Sequence, residues 1–102
     1  MNRFFDINSE LAQQIVDSVK SVVSFDINFI DRKGIITAST NAERIGDFHE
    51  SGYKTAESGV MGVVSTDDEY RGTKKGINYP IIYDGNVIGV IGITGEPTEV
   101  ER

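Results

Sequence analysis

The sequence has no cysteine and only one histidine, and both shortages restrict its chemistry. Without cysteine there are no disulfides and no thiolate metal sites, which fits the cytoplasm. The single histidine, His49, has no second histidine at metal-ligand spacing, and no Ser-His-Asp arrangement is detectable by spacing. We therefore expect a chain that is not an enzyme and that uses no metal and no cofactor.

Long apolar runs are also missing. No stretch approaches the roughly 20 apolar residues that a bilayer crossing requires. Residues 1–6 do not resemble a signal peptide, because the long apolar stretch and the small-residue cleavage site are absent. We expect a cytoplasmic protein without membrane contact.

Positive charge is scarce. Ten basic residues stand against sixteen acidic ones, which gives a formal net charge of −6. A surface of that sign repels phosphate backbones, and the basic cluster of Arg71, Lys74 and Lys75 is too small to offset it. Direct nucleic-acid binding by this chain is therefore not expected. A small anionic ligand remains compatible with the sequence, because a pocket depends on its local field rather than on the net charge.

What is present suffices for one domain. A chain of 102 residues is too short for two cores of ordinary size, so we treat residues 1–102 as one domain. Gly95-Glu96-Pro97 breaks the last strand, and residues 98–101 then have the order of a helix capping box. A helix that starts there indicates an excerpt from a longer protein, although a frayed terminus is an alternative.

Hydrophobic periodicity predicts the elements of an α+β domain. Spacings of three and four predict a helix over residues 9–24. Pro80 has no amide hydrogen to donate to a neighbouring strand, so its own strand should have a free edge or a bulge at this position. The expected order after the first helix is strands at 25–29 and 35–39, a helical turn at 42–45, a helix at 48–58, a strand at 60–64, a solvated loop at 65–75, and strands at 79–83 and 87–94.

Two antiparallel hairpins around a helical insert give an α+β layer fold, with one antiparallel sheet and the helices on one of its faces. The last strand is apolar on both faces and should be central. PAS-like sensor domains have this arrangement of an N-terminal helix, a hairpin, a helical insert and a three-strand C-terminal part. In those domains the insert walls a pocket against the sheet.

The first stretch with candidate ligand-binding residues runs from position 39 to position 50. A guanidinium can hold a carboxylate with two hydrogen bonds, an imidazole can donate at either nitrogen, and free N–H groups at a helix start favour an anion. Alternatively, the arginine pairs with nearby carboxylates on the surface, and the histidine is a structural hydrogen-bonding group. The candidates here are Ser39, Arg44, Ile45, Gly46 and His49.

Two further stretches contain candidates. Residues 75–80 offer Gly76, Asn78 and Pro80, and an asparagine that both donates and accepts suits a hydroxy acid; alternatively, the stretch only shapes a turn. Residues 89–95 place Gly92 and Thr94 on one strand face, where a ligand or the helical insert can pack. Close helix packing explains these strand glycines equally well. The second of these stretches lacks GxGxxG spacing, so it supports dinucleotide binding only weakly.

Four strings then carry a family resemblance: LAQQIVD at 11–17, ERIGDFHE at 43–50, GINYPI at 76–81 and VIGVIGITGEP at 87–97. In this order they resemble the sugar-diacid-recognition domain of the carbohydrate diacid regulator family of bacterial transcription regulators. The sequence departs from the family pattern at Asn41-Ala42, Lys75 and Tyr79, and it is short between positions 59 and 76. These departures bear on the identity of the ligand more than on the fold.

The resemblance implies a domain that senses a small hydroxy acid or sugar diacid of the glycerate, glucarate or galactarate class. It implies that Arg44, His49, Asn78 and Thr94 face this ligand. DNA is then read only by a C-terminal helix-turn-helix that this sequence does not contain.

A second hypothesis is an interaction module without a ligand, in which the first and last helices form the seam of a homodimer. Val16→Glu or Val19→Glu would then dissolve the dimer. Both hypotheses can hold together, because sensors commonly pass a signal through a dimer.

Overall fold

The structure is a computed structural model that describes residues 7–67 and 69–101. The signal-peptide prediction rests on residues 1–6, which lie outside this part of the chain. Arg102, the last residue of the helix expected to lead into a longer protein, lies outside it as well. The helices are α1 (Ser9–Lys20), α2 (Glu50–Ser58) and α3 (Pro97–Val100), with a 3-10 turn at Ala42–Arg44. The strands are β1 (Asp26–Ile30), β2 (Ile36–Ser39), β3 (Gly62–Val64), β4 (Gly76–Tyr83) and β5 (Asn86–Thr94).

The strands form one antiparallel sheet in the order β2-β1-β5-β4-β3. The α+β class is confirmed, and so is the central position of β5, which lies between β1 and β4. The free edge expected at Pro80 is confirmed too, since β3 pairs with β4 only as far as Asn78 and a bulge follows between Ile81 and Ile82.

The helices cover both faces of the sheet, so the prediction of helices on one face was wrong. Ile27 and Phe29 of β1 are fully buried in a cluster with α1. Ile30, which follows Phe29, is buried on the opposite face, in a cluster against Ala56 of α2. Successive side chains of a strand point to opposite faces, and β1 is buried on both, so each face needs its own cover.

Helix α1 ends earlier than the periodicity predicted. Asn8 caps its start by accepting a hydrogen bond from the amide of Leu11 at 2.8 Å. The helix stops at Lys20, because the β-branched Val22 and Val23 favour other backbone conformations. The Lys20 ammonium then donates to two carbonyls beyond the helix end, where positive charge is favoured.

Other element starts also differ from the sequence prediction. Helix α2 begins at Glu50 instead of residue 48, because Phe48 pairs with Ile35 in an isolated β-bridge. Strand β4 begins at Gly76, so the Gly-Ile-Asn segment is paired strand and not a turn. Helix α3 begins at Pro97 with Glu96 before it and no side-chain cap, rather than at the expected capping box.

The glycine at position 89 has a packing reason. A Cβ atom added to Gly89 would lie 2.3 Å from Cζ of Phe29, so the ring of Phe29 occupies the space of a side chain.

Among the described residues, no helix has both the length and the apolar character that a membrane crossing requires.

Val16 lies in the core and not on a free face of α1. It is 0% exposed, whereas Val22 just after the helix is 81% exposed. The Val16→Glu test of a dimer seam was therefore wrongly chosen, because a buried charge would disrupt the core itself.

We predict that Val16→Ala lowers the free energy of unfolding by about 2 kcal/mol through lost burial and a residual cavity. The matched Val22→Ala substitution removes the same atoms from an exposed site and should change it by less than about 0.5 kcal/mol. Urea unfolding followed by circular dichroism measures both. Equal effects of the two substitutions would contradict the placement of α1.

Candidate ligand-binding site

A row of residues crosses the sheet beneath α2, and strand register creates it. Ser39 of β2 lies opposite Asn28 of β1, Asn28 lies opposite Gly92 of β5, and Gly92 lies opposite Asn78 of β4. We call these four residues the polar row. Since all four are directly paired, they share the sheet face that α2 covers.

The polar groups of the row are buried and mostly paired. The Ser39 hydroxyl donates to Asn28 Oδ1 at 2.6 Å, and Asn78 Nδ2 donates to the hydroxyl of Ser51 in α2 at 2.8 Å. The exception is Asn28 Nδ2, which is buried without a hydrogen-bond partner. Glycine is needed between the two asparagines, because a Cβ on Gly92 would lie 2.8 Å from Asn78 Oδ1.

His49 caps the start of α2 above this row. Its Nδ1 accepts a hydrogen bond from the amide of Gly52 at 2.9 Å, so the neutral ring carries its proton on Nε2. The side chain is buried, and burial together with the charge of Arg44 lowers the pKa of His49 from 6.5 to about 4. At neutral pH the residue is therefore an uncharged imidazole whose Nε2–H is available as a donor.

Arg44 ends the 3-10 turn beside His49. It is half-buried, and its Nη2 donates to the carbonyl of Gly72 at 2.7 Å. Burial lowers the pKa of Arg44, and the carboxylates of Asp47 and Asp26 oppose this change. The guanidinium remains charged under all ordinary conditions, and it has further N–H groups besides the one that Gly72 uses.

The N–H groups at the start of α2 are not free for an anion, contrary to the expectation from the sequence. The amide of Glu50 donates to the carbonyl of Arg71 at 3.0 Å, and the amide of Ser51 donates to the Thr73 hydroxyl at 3.2 Å. Together with the bond from the Gly52 amide to His49, these contacts use the N–H groups of the first turn. The end of the 65–75 segment is therefore a structural part of the domain and not only a solvated connection.

The structure brings some candidates together and separates others. Ser39, Asn78 and Gly92 belong to the row, and Arg44 and His49 lie near enough to each other for the guanidinium charge to lower the pKa of the imidazole. Gly76 and Thr94 pair with each other further along the same strands, and Pro80 pairs with Val90 in the other direction. Ile45 is 44% exposed, and nothing lies within 4 Å of a Cβ added at Gly46, so these two residues are outside the row.

Three residues of the site were missed from the sequence: Asn28, Ser51 and Thr73. Each is no more than 5% exposed. Asn28 alternates with the apolar Ile27 and Phe29, a pattern typical of a residue on the solvent side of a strand. The apolar Ile30, two residues on and hence on the same face, was the available signal that this face is also buried.

A cleft of about 420 Å³ lies between α2 and β3, next to the row. Ser51 connects the two, since its hydroxyl accepts from Asn78 of the row and the residue lines the cleft. No group of three or more potential metal-ligating side chains occurs in residues 7–67 and 69–101. The cleft is lined by Ser51, Lys54, Thr55, Ser58, Val60, Met61, Gly62, Val63, Val64 and Tyr70.

Comparison with solved structures establishes the class of fold. The sensor domain of the Vibrio cholerae histidine kinase DctB matches with a TM-score of 0.65 and 22% identity over 91% of this chain and 39% of its own. The GAF domain of an Acinetobacter phosphoenolpyruvate-protein phosphotransferase matches with a TM-score of 0.63 and 12% identity, over 90% of this chain and 69% of its own. The domain therefore has a PAS-like fold, as predicted.

The family follows from the sequence comparison. Residues 7–102 match the family model described as "Putative sugar diacid recognition", and the chain belongs to that family. The Carbohydrate diacid regulator of Escherichia coli is 35% identical over 94% of this chain and 26% of its own length. The uncharacterized protein YsfB of Bacillus subtilis is 39% identical over 89% of this chain and 25% of its own length. The chain thus spans about a quarter of the length of these relatives.

We predict a pH dependence of stability that depends on His49. As pH falls from 6.5 to about 4, the unfolded imidazole takes up a proton that the folded one does not. The unfolded state then binds more protons, so folding stability decreases with falling pH in this window, by up to about 1.4 kcal/mol per pH unit from this residue.

His49→Asn keeps a helix-capping side chain but removes the titration. Between pH 6.5 and 4.5, urea unfolding should therefore show a shallower loss of stability in this variant than in the wild type. Parallel curves for the two proteins would show that His49 is not held neutral by its surroundings.

Proposed function

We propose that this chain is the ligand-sensing domain of a bacterial transcription regulator, and that it binds a small hydroxy acid or sugar diacid of the glycerate, glucarate or galactarate class. The family description and the name of the Escherichia coli relative support this class of ligand. The proposal includes no catalytic step. In it, DNA is contacted by a C-terminal domain outside this chain, in a cytoplasmic homodimer.

The observation that carries the proposal is the unpaired amide nitrogen of Asn28. A buried donor without a partner costs about 1–3 kcal/mol, and a ligand oxygen that accepts from it would remove that cost. The neighbouring groups of Ser39, Asn78 and Ser51 can both donate and accept. Ligand hydroxyls have the same dual capacity, so a polyhydroxy acid matches this row better than an apolar ligand does.

Arg44 and His49 supply the partners for a carboxylate. They lie close enough for the guanidinium charge to lower the pKa of the imidazole. A carboxylate between them would accept from the Nε2–H of His49 and from guanidinium N–H groups not used by Gly72. Hydrogen bonds with charged partners are about twice as strong as neutral ones, and they are stronger still where water is excluded.

We expect galactarate, glucarate or glycerate to raise the melting temperature of the domain. A ligand at 100 times its Kd stabilises the native state by about 2.7 kcal/mol, which corresponds to a rise on the order of 10 °C or more for a domain of this size. Adipate, a six-carbon diacid without hydroxyls, and galactitol, a polyol without carboxylates, should each raise it much less.

Arg44→Gln should remove most of the rise, because it deletes a charged partner of the carboxylate. Lys33→Gln is the matched control; it removes the same charge from the exposed β1–β2 turn and should leave the rise intact. The proposal fails if no hydroxy acid stabilises the wild-type domain, or if Arg44→Gln responds as the wild type does.

A homodimer seam along α1 is the second candidate function, and two exposed apolar residues favour it. Leu11 is 40% exposed and Val22 is 81% exposed, one in the first turn of α1 and one just after its end. Sedimentation equilibrium should show a dimer that Leu11→Glu or Val22→Glu dissociates while the melting temperature stays unchanged. A wild-type domain that is monomeric at high micromolar concentration would exclude this seam.

A further inference from the structure

The side of α2 that faces β3 is polar where helix packing would favour apolar residues. Ser51, Thr55 and Ser58 follow at spacings of four and three and therefore share one helix face, and all three line the cleft. Ser51 and Thr55 are only 5% and 3% exposed. The hydroxyl of Ser51 has partners within the protein, and that of Ser58 accepts from the Val60 amide, so only the buried Thr55 has a hydroxyl that these bonds leave unexplained.

Thr55 is the clearest case. None of the hydrogen bonds between described residues involves its hydroxyl, whereas the Ser51 hydroxyl bonds both Asn78 and Thr73. The Thr55 Oγ1 atom points toward Gly62 of β3, where an added Cβ would lie only 2.8 Å away. The glycine thus leaves room for an unpaired hydroxyl at the base of the cleft.

Lys54 adds a positive charge to the same wall. It lines the cleft, and its ammonium lies 5.8 Å from the centre of the Tyr70 ring, a distance that permits a cation–π contact. The chain as a whole has a net charge of −6, whereas the one charged residue among the described residues that line the cleft is the cationic Lys54. This combination of an ammonium with hydroxyls suits an oxygen-rich anion.

The cleft is also joined to the polar row. One hydrogen bond, from Asn78 of the row to Ser51 of the cleft, separates the two. The volume of about 420 Å³ lies within the roughly 300–1,000 Å³ that small-molecule sites usually have. Arg44 and His49 supply charged or polar donors near the start of α2, and the cleft has Lys54.

We infer that the cleft between α2 and β3 is the second half of the ligand site, and that it takes the far end of a sugar diacid. Lys54 binds the second carboxylate, and Thr55 bonds a hydroxyl of the carbon chain. This inference rests on the proposed function, in which Arg44 and His49 bind the first carboxylate. It makes Lys54 the residue that distinguishes a diacid from a monoacid.

The test compares galactarate with galactonate, which has the same six-carbon chain but only one carboxylate. Titration calorimetry should show tighter binding of galactarate to the wild-type domain. Lys54→Gln should weaken galactarate about tenfold or more, because a hydrogen bond to a charged group is lost, and should leave galactonate nearly unchanged. Lys33→Gln is the control for net charge and should affect neither acid.

Thr55→Val gives a second measurement that does not depend on Lys54. Valine has nearly the same shape without the hydroxyl, so the ligand-free domain should keep its melting temperature while both acids bind more weakly. Unchanged binding of both acids would show that the Thr55 hydroxyl has no role toward a ligand.

The outcomes separate this inference from the proposed function. If both acids bind and Arg44→Gln weakens them, but Lys54→Gln affects them equally or not at all, the inference is overturned and the sensor proposal stands. If glycerate binds and neither six-carbon acid does, the inference is also overturned. If no hydroxy acid binds the wild-type domain, both fail.

Discussion

Hydrogen bonds attach the first turn of α2 to the rest of the domain. The Ser51 hydroxyl bonds Asn78 of the sheet, the Ser51 amide bonds Thr73, and the ring of His49 closes the helix start. Such an attachment is directional, and each buried group that it contains needs a partner. The position of the helical insert over the sheet, and the polar interior beneath it, both depend on this constraint. Asn28 is the member of the row whose amide nitrogen the domain itself does not satisfy.

This attachment also links Arg44 and the start of α2 to the segment after β3. Arg44 bonds the carbonyl of Gly72, and the neighbouring Arg71 is bonded through its backbone to both the amide and the carboxylate of Glu50. A carboxylate that engages Arg44 and His49 would therefore add its contacts to a network that already joins the 3-10 turn, α2 and residues 71–73. A ligand that binds one arrangement of this network better than another shifts the population toward it, which is the physical requirement for a sensor.

Much of the fold could be predicted, because periodicity and turn residues act locally. The α1 helix, the hairpins and the α2 end at Gly59 follow from them, and the order of these elements indicated the PAS-like class. The covering of both sheet faces had only one local signal, the apolar Ile30, because the residues that lie under α2 are set by the long-range register of β1 with β5. The same long-range register aligns Asn28 with Gly92 and Asn78. Family strings therefore pointed to Arg44, His49 and Asn78, whereas the partners Asn28 and Ser51 became evident only in three dimensions.

The central claim is that the buried Asn28 Nδ2, which has no partner in the domain, donates a hydrogen bond to an oxygen of the bound ligand. Its side-chain resonances in a proton–nitrogen correlation spectrum, assigned with Asn28→Ser, test this most directly. On addition of a stabilising hydroxy acid, the account predicts a large shift of the Asn28 Nδ2 protons and slower exchange of these protons with water. A ligand that stabilises the domain while these resonances stay unmoved would contradict it.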